Sequence, residues 1–178
     1  MRLLYLLLIA LSNVLTAKFN PFVLAGGFLI VPVGSLFAGA VFVLRDLIQM
    51  KHGRLNTYKL ILWATLLSVA LSYALGDTAH VAAASMTAFF VSEAVDTELF
   101  SRMRASLTKR VLVSGALGGC IDSTIFVVFG LSPWATGTLP WSVVPFAVLG
   151  QTLVKLLVQL VAAGWLILKK KEGERMCK

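Results

Sequence analysis

Long apolar stretches alternate with short polar punctuation along the whole chain. Reading for runs long enough to cross a bilayer, which needs about 20 residues as a helix, predicts six spans. They fall over 3–17, 22–44, 60–75, 79–100, 111–131 and 142–168. The expected fold class is an all-α integral membrane protein, a bundle of six transmembrane helices forming a single domain over 1–178. The first run resembles a signal sequence, but no small-residue cleavage site precedes Lys18 and five more spans follow. It is therefore read as a helix.

Lys and Arg orient the bundle, because cytoplasmic loops carry an excess of them. With both termini in the cytoplasm, the inner segments take Arg2, then Arg45, Lys51, Arg54 and Lys59, then Arg102, Arg104, Lys109 and Arg110, and finally Lys169 to Lys171, Arg175 and Lys178. Of the 16 basic residues this leaves only Lys18 outside and Lys155 inside a span. The outer loop SPWATGTLPWS has no charge, and its Trp134 and Trp141 suit an interfacial belt.

Composition agrees. The 178 residues are 58% hydrophobic and 13% charged, with mean hydropathy +0.89, far from a soluble domain. The net charge of +8 marks topology rather than nucleic-acid binding. Cys120 lies in an apolar run and Cys177 in the charged tail, so no disulfide framework, metal site or cofactor is expected. Enzyme readings do poorly. Asp77 in ALGD sits at an outer boundary, His80 has no serine partner in the membrane, and no phosphate loop is present.

The chemistry lies in the polar residues inside the spans. From the helical rise, Asn13 stands roughly 16 Å above the inner end of its span, Glu93 about 13 Å, Asp96 about 9 Å, Asp122 about 18 Å and Lys155 about 21 Å. In a core about 30 Å thick, four spans thus bring polar groups to similar depth. A lipid-facing charge costs at least ~2.5 kcal/mol, so a shared polar cavity is expected. The plain alternative is an internal salt bridge, such as Asp122 with Lys155.

In SEAVDTELF, Glu93 and Asp96 share a stripe with Met86, Phe89 and Phe100, while Glu98 reads as a boundary charge. Gln151, Lys155 and Gln159 form a second polar stripe. Gly26, Gly27, Pro32 and Gly34 predict a broken second span, either lining a site or kinked for packing. Arg45 and Asp46 end that span, as simple termination or as an inner gate in which Asp46 pairs with an arginine of the next cytoplasmic loop.

Taken in order, Ser12–Asn13, VPVG, the Arg45–Asp46 pair, SEAVDTELFSRMR, RVLVSGALGGCIDSTIF and Lys155 resemble the VUT family of queuosine precursor transporters over nearly the whole chain. The resemblance implies import of 7-deazaguanine bases such as preQ0 and preQ1 across the bacterial inner membrane. Its pattern falls on Asn13, Asp46, Glu93, Asp96, Arg110, Ser114, Asp122 and Lys155. On this reading Glu93 or Asp96 accepts the adjacent N–H donors of the ring edge. Lys155, Gln151 or Asn13 donates to the ring carbonyl, and Phe89 or Phe126 clamps the ring. Asp122 acts beside Lys155, and Arg45, Asp46, Arg110 and Ser114 take gating positions.

Proton coupling and facilitated exchange are both open, and a homodimer is compatible with so small a bundle. The competing reading is a substrate-binding membrane subunit of an ATP-driven vitamin or nucleobase uptake system, with AHVAAAS as its small-residue coupling surface.

Overall fold

The computed structural model describes the backbone of residues 1–24 and 29–176, and the side chains of this range outside 24, 29 and 165–176. Gly26 and Gly27, Cys177 and the basic side chains from Lys169 onward lie outside the described residues. Six helices are described: α1 (Arg2–Lys18), α2 (Ser35–His52), α3 (Arg54–Ala74), α4 (Ala79–Arg102), α5 (Leu107–Phe126) and α6 (Val144–Met176). A hairpin of β1 (Phe22–Leu24) and β2 (Leu29–Val31) sits between α1 and α2. Three helical segments are long and apolar enough to cross a membrane by length and composition, namely Arg54–Ala74, Leu107–Leu131 and Val144–Gly164.

The expected second span over 22–44 is the largest correction. Its first half is the antiparallel hairpin, with Phe22 opposite Val31 and Val23 opposite Ile30. Aromatic and β-branched residues favour that pleated geometry. Pro32 therefore kinks no helix. It stands ahead of α2, and its carbonyl accepts the first helical bond, from Ser35 N–H at 3.0 Å. Gly34 is required at this junction. Its N–H donates to Thr16 Oγ1 (3.1 Å) and its carbonyl accepts from Ser12 Oγ (3.0 Å). A Cβ there would collide with both α1 side chains.

The inner loop expected over 45–59 is nearly absent. α2 continues to His52, and α3 starts at Arg54. Gly53 alone makes the turn, at φ +79°, a left-handed backbone that glycine adopts without steric cost. Arg45 and Asp46 consequently do not end a span, and they are not cytoplasmic loop residues. Both lie inside α2 and are fully buried.

α2 is the central helix and packs against all five others. Around it, contacts run from α1 to α3, α3 to α4, α4 to α5 and α5 to α6. That position explains why α2 buries ten of its residues. Tyr5 and Ile9 of α1, Val41, Leu44 and Ile48 of α2, and Leu60 and Ala64 of α3 form one apolar cluster. Large apolar side chains such as Leu62, Trp63, Phe129, Leu157 and Val161 are exposed instead. Buried charge with exposed hydrocarbon is the pattern expected when the surrounding solvent is lipid.

Candidate functional site

A cavity of about 180 Å³ opens among the helices, and all six contribute to its walls. Its lining runs from Pro32, just ahead of α2, to Phe42 on α2, and on α4 from Val81 to Glu93. Arg45 and Asp96 follow immediately along the same helices, so they lie just past its floor. The opposite end is bordered by Thr16, Pro32 and Asp77, where the Ser72 hydroxyl donates to Asp77 Oδ2.

Six of the residues expected to bind substrate line the cavity: Asn13, Phe89, Glu93, Asp122, Phe126 and Lys155. Gln151 makes a seventh. Asn13 Nδ2 donates to Ser68 Oγ at 2.9 Å, tying α1 to α3. Lys155 Nζ lies 2.5 Å from Asp122 Oδ2 and donates to Ser123 Oγ at 2.8 Å. The Asp122–Lys155 salt bridge anticipated as a structural alternative is therefore present, but it stands inside the cavity wall. Asp122 keeps part of its surface open while Lys155 is almost wholly buried. The Lys–Asp pair thus presents an acceptor to the cavity with its countercharge behind. Gln151 is buried and has no hydrogen-bond partner among the described residues, which leaves its amide available to a ligand.

Asp96 is separated from the cavity. It pairs with Arg45 Nη2 and packs beside Gly118. The two carboxylates of SEAVDTELF thus differ in place, with Glu93 facing the cavity and Asp96 facing Arg45. Arg45 gathers three carboxylates. Its Nη2 lies 3.1 Å from Asp46 Oδ1, and its Nε lies 3.3 Å from Glu93 Oε2. Nη1 donates to Thr97 Oγ1 at 2.9 Å. The expected partner of Asp46, an arginine of the next loop, is replaced by its own neighbour Arg45. This is possible because the side chain turns inward along the central helix. Glu98 sits apart, with Arg54 and Arg102 at 3.3 and 3.1 Å and the Tyr58 hydroxyl donating at 2.9 Å.

Arg110 lies at the same end as the Arg45 cluster. Its Nε and Nη2 donate to the Phe100 carbonyl at 2.9 and 2.6 Å, and its guanidinium stacks over the Phe100 ring at 4.1 Å. It latches the start of α5 to the end of α4. Ser114, one turn further along α5, is fully buried, and its hydroxyl is unpartnered among the described residues. Gln159 continues this closure by donating to the Val111 carbonyl at 2.5 Å. Sequence reasoning missed Ser68, Ser72 and Ser123, because a lone serine in an apolar helix bonds its own backbone equally well.

Residues 69–168, more than half of the chain, match the family described as "Putative vitamin uptake transporter". That segment holds Glu93, Asp96, Arg110, Asp122, Gln151 and Lys155, whereas Asn13, Arg45 and Asp46 precede it. A search of curated proteins finds no match, and a search of solved structures finds none.

Proposed function

The chain belongs to the vitamin uptake transporter family, and we propose that within it this protein imports 7-deazaguanine bases such as preQ0 and preQ1. Membership makes it a membrane protein of transporter class, with a small-molecule substrate and the lipid bilayer as its surroundings. The finer reading places it as a six-span protein of the bacterial inner membrane, with both termini in the cytoplasm.

One observation carries the substrate proposal. A single cavity brings a carboxylate pair of different character, Glu93 and Asp122, together with an unpartnered amide at Gln151 and two aromatic rings, Phe89 and Phe126. A guanine-like base offers adjacent N–H donors, a carbonyl acceptor and a flat apolar face. Carboxylate, amide and ring answer these three features. PreQ1 adds an ammonium, which a second carboxylate can pair with. Glu93 is assigned to the ring edge and Asp122, backed by Lys155, to the second contact. Arg45, Asp46, Arg110 and Ser114 form the closed side, in a gating role.

The competing reading, a subunit serving an ATP-driven motor, relies on AHVAAAS as a coupling surface. Ala82 and Ala84 of that segment are buried, with Ala84 against Gly130, while Ala79, His80 and Ala83 stay exposed; uptake by the chain alone in liposomes separates the two readings.

The decisive experiment measures uptake of labelled preQ0, preQ1 and queuine in cells lacking both precursor synthesis and their own transporter. Expression of this chain should restore saturable uptake of one or more of them. Equal counts with and without the chain would refute the substrate assignment.

A further inference from the structure

The charges around Arg45 do not balance. Three carboxylates, Asp46, Glu93 and Asp96, surround one guanidinium, and all four side chains are at most 1% exposed. Both oxygens of every one of these carboxylates lack a hydrogen-bond partner among the described residues, and the ion pairs of all three are with the one arginine. Fully ionised, the cluster would carry two uncompensated negative charges away from water. Burying even one unpaired carboxylate is far more costly than binding a proton. The Tyr5 hydroxyl from α1 is also fully buried and lies against Glu93.

The neighbouring elements do not supply the missing positive charge. Tyr5 approaches from α1, while Tyr58 of α3 is turned to Glu98. α5 presents Asp122 towards Glu93, and its Arg110 towards Asp46. Arg110 is already engaged with the Phe100 carbonyl and ring. On α6, Lys155 is the one cation among the described side chains, and it is held by Asp122. No group of three or more His, Cys, Asp or Glu side chains among the described residues has the geometry to hold a metal ion.

We propose that the Arg45–Asp46–Glu93–Asp96 cluster is a proton-binding site, and that Glu93 couples it to the cavity so that uptake is driven by an inward proton gradient. Glu93 is the only cluster member that lines the cavity. A proton bound at Glu93 lowers the negative charge that Glu93, Asp46 and Asp96 together place around the one guanidinium. A substrate bound to Glu93 competes with Arg45 for the same carboxylate. Proton occupancy and substrate occupancy are thereby linked, and the reciprocal effect follows by thermodynamic necessity. The coupling half of this inference rests on the cavity being the transport route proposed above; the proton site does not.

The test uses the purified full-length protein in lipid vesicles, with two readouts. The first needs no substrate. Infrared difference spectra between acid and alkaline pH should show a deuterium-sensitive carboxylic-acid carbonyl band that is lost or shifted in Asp96→Asn and in Asp46→Asn. No such band in the wild-type protein, or one unchanged in both variants, overturns the proton site. The second imposes an alkaline interior and follows labelled preQ0. One proton per molecule predicts about tenfold accumulation for each pH unit of gradient. Uptake that ignores the pH gradient, or that follows a sodium gradient at constant pH, overturns the coupling. A titrating band without preQ0 uptake supports the proton site and counts against the substrate assignment instead.

Discussion

Glu93 and Arg45 meet 3.3 Å apart, Oε2 to Nε, at the point where the cavity ends and the closed half of the bundle begins. The contact joins the middle of α4 to the middle of α2, the helix on which every other helix packs. One side chain therefore belongs to both the binding surface and the barrier beneath it. Under the proposed transport route, that dual position would link opening of the floor to what occupies the cavity.

Removing the cation should be worse than removing one of its partners. Arg45→Leu strands three buried carboxylates, and breaking a buried ion pair from one side costs about 3–5 kcal/mol. The variant should express poorly, or melt well below the wild type in detergent by fluorescence-monitored unfolding. Asp46→Asn leaves two carboxylates on the arginine and should melt closer to wild type. The reverse order of the two melting temperatures would contradict this account.

Asp122→Ala should abolish preQ0 and preQ1 uptake while leaving membrane insertion intact. Its loss removes a cavity acceptor and frees Lys155, which Ser123 still holds at 2.8 Å. Lys155→Ala should also lose uptake, because Asp122 then faces the cavity without its countercharge. Near-normal uptake by either variant, with membrane levels matched by immunoblot, would remove the pair from the site.

Gly34→Val tests the seating of α1. A side chain there has no room beside Ser12 and Thr16, and overpacking a tight contact typically costs about 1–3 kcal/mol. A lower melting temperature is expected, together with faster proteolysis of the hairpin region. Gly137→Ala makes the contrast. Gly137 has open space around its missing Cβ, so any penalty there is that of its left-handed backbone alone.

Arg110→Lys keeps the charge but loses the two-pronged grip on the Phe100 carbonyl and the stacking over its ring, which lysine does not reproduce. If this latch closes the inner side, the variant should leak substrate. Preloaded vesicles should lose labelled preQ0 several-fold faster than wild type. Unchanged efflux would limit Arg110 to a packing role.

Topology is open to direct labelling. In a background lacking Cys120 and Cys177, single cysteines at Trp134 and Lys18 should react with an impermeant maleimide in intact cells. One at Lys51 should react only after permeabilisation. Labelling of all three from outside would refute the six-span arrangement with cytoplasmic termini.

Much of this was open to the chain alone. Apolar run length, sparse charge and the uneven placement of Lys and Arg point to a helical membrane protein, because each reports on a local cost of contact with lipid. The same reasoning picked out Asn13, Glu93, Asp122 and Lys155, which line the cavity, since a polar residue within an apolar helix must face something other than hydrocarbon. The hairpin at 22–31 escaped it, because a short apolar run with Gly and Pro reads equally well as a broken helix. So did Arg45, whose place near a run of basic residues suggested an inner loop. Whether an arginine at a helix's polar end turns towards water or folds back onto carboxylates depends on what stands opposite. Only the packing of α4 against the central helix put Glu93 and Asp96 within its reach. It likewise divided those two carboxylates, three residues apart on one helical stripe, between the cavity and the barrier, because a one-turn difference in height places them on opposite sides of the cavity floor.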